Sequence, residues 1–81
     1  MKYTYKTKGT CSNRIELEVE DDKIKSVQFY GGCDANLEAI SRLIKGMPVR
    51  DIISRLEGIP CGPRPTSCPD QLCQALHEMG Y

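Results

Sequence analysis

The sequence predicts an α+β fold: a small three-stranded antiparallel sheet followed by two or three helices packed on one face. Three observations carry this. Apolar and polar residues alternate from Arg14 to Glu20, the two-residue period of a half-buried strand. From Leu37 onward the apolar spacing lengthens to that of amphipathic helices. Gly and Pro divide the second half of the chain into helix-sized pieces, at Gly31-Gly32, at Gly46 with Pro48, and at Gly58 with Pro60.

Each element follows in order. The Tyr- and Thr-rich stretch from Met1 to Lys8 predicts a first strand with Tyr3 and Tyr5 on one face. Gly9-Thr10-Cys11-Ser12-Asn13 is turn chemistry. A second strand follows at 14–20, with Ile15, Leu17 and Val19 inward and Glu16, Glu18 and Glu20 outward. Asp21-Asp22 predicts a hairpin turn. The third strand, 23–30, breaks alternation between Ile24 and Val27, which calls for a bulge or a late start. A helix is expected from about Asp34 to Lys45, with Leu37, Ile40, Leu43 and Ile44 as its apolar stripe and Gly46 as its stop. Pro48 opens a second helix, where Val49, Ile52, Ile53 and Leu56 share a face. The Pro-rich stretch 59–65 reads as an ordered or extended loop. Ser67 then caps a third helix, with Pro69 in its first turn, Asp70 completing a partial capping box, and Leu72, Ala75, Leu76 and Met79 inward.

At 81 residues the chain is expected to form one domain over 1–81. A core this small often needs a disulfide, a metal or a partner as a staple. The 11 Lys plus Arg balance 11 Asp plus Glu, which argues against nucleic-acid binding. No stretch holds more than two consecutive apolar residues, so neither a membrane span nor a signal-peptide core is expected. A cytoplasmic protein is the expectation.

The compositional oddity is five cysteines. Cys11, Cys33, Cys61 and Cys68 each sit in a loop or at a helix start, beside Gly, Pro, Ser or Thr. Cys33 and Cys68 occupy helix N-termini, where free N–H groups and the macrodipole favour a thiolate. Cys73 lies within the third helix near its apolar stripe and reads as core. For the four loop cysteines, three functional readings stand beside that of plain core residues. They can bind one zinc tetrahedrally, supplying the staple. They can hold an iron–sulfur cluster. Or they can exchange thiols and disulfides, with Cys61 and Cys68 close enough in sequence to pair. With 21, 27 and 6 residues between them there is no C-x-x-C knuckle, so any shared site must be assembled by the fold. Structural disulfides are not expected where nothing signals secretion.

Other candidates are weaker chemistry. His77, the one histidine, falls in the last turn of the third helix, a place that suits the helix dipole. Glu16, Glu18 and Glu20 alternate with the apolar face and are expected to be solvated. Asp34 and Asp70 read as charges at helix N-termini, while Arg64 can favour a thiolate at Cys61 or hold an anion. Gly31-Gly32 at a strand–helix junction can cradle a phosphate, which makes Gly31, Gly32 and Arg64 the candidates for nucleotide binding.

Four blocks in order carry a family resemblance: Thr10-Cys11-Ser12; Gly31-Gly32-Cys33 with Asn36-Leu37 and Ala39-Ile40; Ile59-Pro60-Cys61-Gly62 with Arg64; and Thr66-Ser67-Cys68-Pro69-Asp70. Over essentially its whole length the chain resembles the TSCPD domain family, in its short, free-standing, four-cysteine type. The resemblance implies that Cys11, Cys33, Cys61 and Cys68 are the characteristic cysteines and that Cys73 lies outside the pattern. Similar domains end adenosylcobalamin-dependent ribonucleotide reductases. That implies a link to reducing ribonucleotides to deoxyribonucleotides, as a partner of a separate reductase or redox protein. The chain itself is expected to be too short for the barrel such catalysis needs. A second likeness runs from Phe29 to Leu56, where Gly32-Cys33 and Ile44-Lys45-Gly46 are similar to iron–sulfur cluster assembly scaffolds. It implies metal or sulfur handling, with Cys11, Cys33 and Cys68 placed like scaffold ligands.

Overall fold

The computed structural model describes residues 2–10, 12–31 and 34–81, with Ser12 and Asp34 described by backbone only. Cys11, Gly32 and Cys33 lie outside the described residues. The elements are β1 (Lys2–Lys6), β2 (Ser12–Glu20), β3 (Lys23–Gly31), α1 (Asp34–Ile44), α2 (Val49–Leu56) and α3 (Cys68–Glu78). The strands form one antiparallel sheet in the order β1-β2-β3, as the alternating pattern predicts.

The β2–β3 hairpin turns through Asp21 and Asp22, both left-handed at φ 54° and 60°. Two positive φ values make the strands twist in the sense that a two-residue hairpin requires. The broken alternation of β3 is a bulge: Glu18 faces Ser26 while Val19 faces Ile24, leaving Lys25 as the extra residue. Ile24 and Val27 can then both point inward, and both are buried. A second register shift lies between Ser12 and Arg14, opposite Gly31 and Tyr30. Gly31 has φ +81°, and a Cβ there would stand 3.0 Å from Asn13 Nδ2. Gly31→Ala is therefore expected to cost about 1–2 kcal/mol, readable as a lower urea midpoint.

One face of the sheet carries Ile15, Leu17, Val19, Ile24 and Val27 into a core shared with Ile44, Val49, Ile52, Leu72, Ala75 and Leu76 from the helices. Tyr3 and Tyr5 pack at its margin, on one face of β1 as expected. The α1–α2 connection adds itself to the start of β3. Gly46 donates to the Ile24 carbonyl (2.7 Å), Ile24 donates to Met47 (3.0 Å), and Val49 donates to Asp22 (2.9 Å). That covers one end of an otherwise open strand edge.

The predicted stripe of α1 needs one correction. Leu37 and Ile44 are buried and Ile40 packs against the core, but Leu43 is 76% exposed. At 100° per residue, position 43 falls about 90° from the centre of the stripe formed by 37, 40 and 44, and about 120° from Leu37, so it faces water.

Candidate functional site

The loop after α2 narrows to a two-residue turn at Cys61-Gly62-Pro63-Arg64. Cys61 donates its N–H to the Arg64 carbonyl (3.2 Å), and Arg64 returns the bond (3.0 Å). Gly62 supplies the left-handed residue that starts such a turn, at φ +58°. Paired residues across an antiparallel turn project to the same face, so Cys61 and Arg64 stand side by side. Cys61 is exposed.

Cys68 is the first residue of α3 and is buried. Ser67 caps the helix as expected, its Oγ accepting from the Asp70 N–H at 3.2 Å. The second half of the predicted capping box is differently used. The Asp70 carboxylate turns away from the helix end, accepting from the Gly58 N–H at 2.7 Å and from the Thr66 hydroxyl. Asp70 is therefore more than a charge at a helix N-terminus: it is a buried acceptor that ties α3 to the end of α2.

Gln71 extends this network. Its Nε2 donates to Thr66 Oγ1 at 3.0 Å, and its Oε1 accepts from the Lys8 N–H at 3.1 Å. Gly9 lies against Thr66 closely enough that an added Cβ would meet the Thr66 methyl at 3.3 Å. Nothing in the sequence flagged Gln71. Its partners are 5 and 63 residues away, and no local period marks a polar residue that a fold will bury. Among the described residues no buried side-chain nitrogen or oxygen lacks a partner.

Cys73 is the core residue that the pattern predicted. It is fully buried, its Sγ 3.8 Å from the Ile52 carbonyl. Burial first, then the negative charges of Asp70 and Glu57, push its thiol from 9.0 up to about 12. Such a thiol is a poor ligand and nucleophile. It also makes stability fall with alkali. Above pH 9 the unfolded chain releases this proton while the folded chain keeps it, so stability drops between about pH 9 and 12. Tyr3, hydrogen-bonded to Glu78, the desolvated Tyr5, and Tyr81, hydrogen-bonded to Asp22, shift upward as well and act in the same direction. A Cys73→Ala variant should accordingly show a shallower loss of stability over that window, measured by urea unfolding at successive pH values.

The remaining candidates are partnered at the surface. His77 pairs with Glu57 at the exposed side of α3. Glu16 accepts from the Tyr30 hydroxyl (2.9 Å) and pairs with Arg14 (3.4 Å), whose guanidinium lies 4.0 Å over the Tyr30 ring. Lys25 pairs with Glu18 (3.9 Å) and Glu20 (3.2 Å). These carboxylates form an ion-paired outer sheet face. Gly31 borders a groove of about 360 Å³ that also contains Phe29, Leu37, Glu38 and Ser41, and among the described residues the charge lining it is the Glu38 carboxylate. Gly32 lies outside the described residues.

Of the four loop cysteines, Cys61 and Cys68 are described, on an exposed turn and a buried helix start, while Cys11 and Cys33 are not. Among the described residues no three His, Cys, Asp or Glu side chains form a metal-holding group. No described helix is long and apolar enough to cross a membrane.

A three-stranded meander followed by three helices, with a Cys-Gly-Pro turn leading into a Thr-Ser-Cys-Pro-Asp helix start, defines a small α+β module built around a polar-clasped cysteine loop. The family model of the TSCPD domain matches residues 1–80, and the chain belongs to that family. No curated protein and no solved structure gives a significant match.

Proposed function

We propose that the chain is a four-cysteine metal-binding module in which Cys11, Cys33, Cys61 and Cys68 hold one ion, zinc, and that it serves as an accessory to ribonucleotide reduction. The observation that carries the metal reading is how the residues flanking the four cysteines are joined. Ser12, next to position 11, is the register partner of Gly31, two residues before position 33. Lys8, three residues before position 11, is bonded to Gln71 of α3, three residues past Cys68. Gly58, three residues before Cys61, is bonded to Asp70, two residues past Cys68. These links join the approaches to positions 11 and 33 to each other, and the approaches to positions 11 and 61 to the start of α3, which supports a shared site.

The donor set fits the ion. Four thiolates satisfy zinc's tetrahedral preference and leave no open position for substrate, the pattern of a structural site. Bound there, zinc would cross-link the strand connection, the β3–α1 junction and the loop before α3. The chain's own groups assist. The Gly62-Pro63 turn fixes the direction of Cys61, with Arg64 beside it. The link to ribonucleotide reduction comes from the family. The accessory reading gives that chemistry to a separate reductase, which this chain would serve.

Exposed Cys61 supports a second reading, as a thiol redox partner, because an exposed thiol can reach another protein's disulfide. An iron–sulfur cluster would suit the same four ligands.

Zinc titration of the reduced, metal-free chain tests the metal reading. One equivalent should raise the melting temperature by about 10–20 °C at a free zinc level about 100 times the dissociation constant. An unchanged melting temperature would contradict it. The accessory role predicts that adding the chain changes the turnover of a cobalamin-dependent reductase, and unaltered turnover would count against it.

A further inference from the structure

A chain of four hydrogen bonds runs through the start of α3. Lys8 donates to Gln71, Gln71 to Thr66, Thr66 to Asp70, and Gly58 to Asp70 from the other side. Helix capping does not explain it. Ser67 accepts the Asp70 N–H, and the two Asp70 carboxylate oxygens accept from Gly58 and Thr66 rather than from the first turn of the helix. Burying a carboxylate and an amide at 7% exposure each is unfavourable unless their hydrogen bonds are met. Here they are met by two distant backbone N–H groups, one at each entrance to the cysteine segments.

We infer that Thr66, Asp70 and Gln71 are positioning residues for the cysteine site, forming a clasp that sets the Cys61 loop and the Lys8–Gly9 turn against the helix start bearing Cys68. Asp70 fixes Gly58, where the chain leaves α2 with φ +82° and enters the proline loop. Gln71 fixes Lys8, and Thr66 joins the two through its hydroxyl while its methyl packs on Gly9. Two of the five residues of the Thr-Ser-Cys-Pro-Asp signature thus act through their neighbours rather than as ligands. What the clasp serves rests on the metal reading above, but the clasp itself is testable without metal.

The test is timed alkylation of the reduced, EDTA-treated full chain, with each cysteine followed by mass spectrometry. Cys61 is exposed and should react first, while buried Cys68 and Cys73 report on opening at two depths of one helix. Thr66→Val, which removes two hydrogen bonds of the clasp, should speed Cys68 by about tenfold and leave Cys73 unchanged. Asp70→Ala also removes a negative charge that holds the Cys73 thiol up, so it should speed Cys68 by about tenfold and Cys73 by clearly less. Equal acceleration of Cys68 and Cys73 would mean general destabilisation and would overturn the inference, as would no acceleration of Cys68. Thr66→Val keeps the test decisive if Asp70→Ala does not fold, since it removes a hydroxyl at nearly constant shape. Zinc affinity of the same variants, compared with a Leu76→Ala control of matched urea midpoint, then separates the two proposals. A wild-type chain that binds no zinc sinks the metal reading while the alkylation result still decides the clasp.

Discussion

Cys68→Ser is expected to abolish stoichiometric metal binding, whereas Cys73→Ala leaves metal content unchanged. A serine hydroxyl does not ionise near neutral pH and replaces a soft sulfur donor by a hard oxygen, so a tetrahedral thiolate site loses one of its four bonds. The loss reaches beyond the site. Metal held at about 100 times its dissociation constant adds about 2.7 kcal/mol to the folded state, and Cys68→Ser forfeits that share. Cys73 is protected from both consequences. Its sulfur lies against the Ile52 carbonyl in the core, and burial holds its thiol protonated up to about 12. Removing it should instead leave a small cavity at a cost of about 1–2 kcal/mol. Metal analysis of the two purified variants reads the difference, and equal metal loss in both would show that Cys73 is a ligand.

Leu72→Ala should be the most damaging core substitution. Leu72 is fully buried on the inner face of α3, where the helix meets the core that Ile15 and Ile52 share. Truncating a leucine in such a place costs about 2–5 kcal/mol from lost burial and the cavity left behind. A domain of this size has about 5 kcal/mol or little more in total, so much of the population should unfold. Leu43→Ala, at a leucine 76% exposed, should stay within about 0.5 kcal/mol of the parent. Urea midpoints of the two variants check the contrast. Similar losses would mean that α1 and α3 are not seated as described.

What could be read from the sequence was whatever depends on neighbours along the chain. The period-two pattern of 14–20 marked β2, and the missed beat between Ile24 and Val27 marked the bulge that Lys25 occupies. Asp21-Asp22 turned as expected, and Ser67 capped α3, because both depend on a few adjacent residues. Cys73 sat on a helix face whose period was plain. Leu43 was misjudged because four apolar residues in eight positions overfill one stripe of a helix, and only packing decides which one is left out. The polar clasp was hidden for a different reason. Asp70 finds Gly58 at 12 residues and Gln71 finds Lys8 at 63, distances that no local pattern encodes. A charge at a helix end accounts for the position of Asp70 but not for its burial.

The candidate site divides along the same line. Local chemistry separates one core cysteine, Cys73, which the structure fully buries, from four loop cysteines. Whether they meet depends on long-range pairing, of which Ser12 with Gly31, Lys8 with Gln71, and Gly58 with Asp70 are the described parts.

Metal content and the absorption spectrum of the full chain, purified without oxygen or added metal, test the central claim most directly. One zinc per chain in a colourless sample is the predicted result. A brown sample with thiolate-to-iron charge-transfer bands would replace zinc by an iron–sulfur cluster, and a chain free of any metal would contradict the four-cysteine site and leave thiol exchange through Cys61.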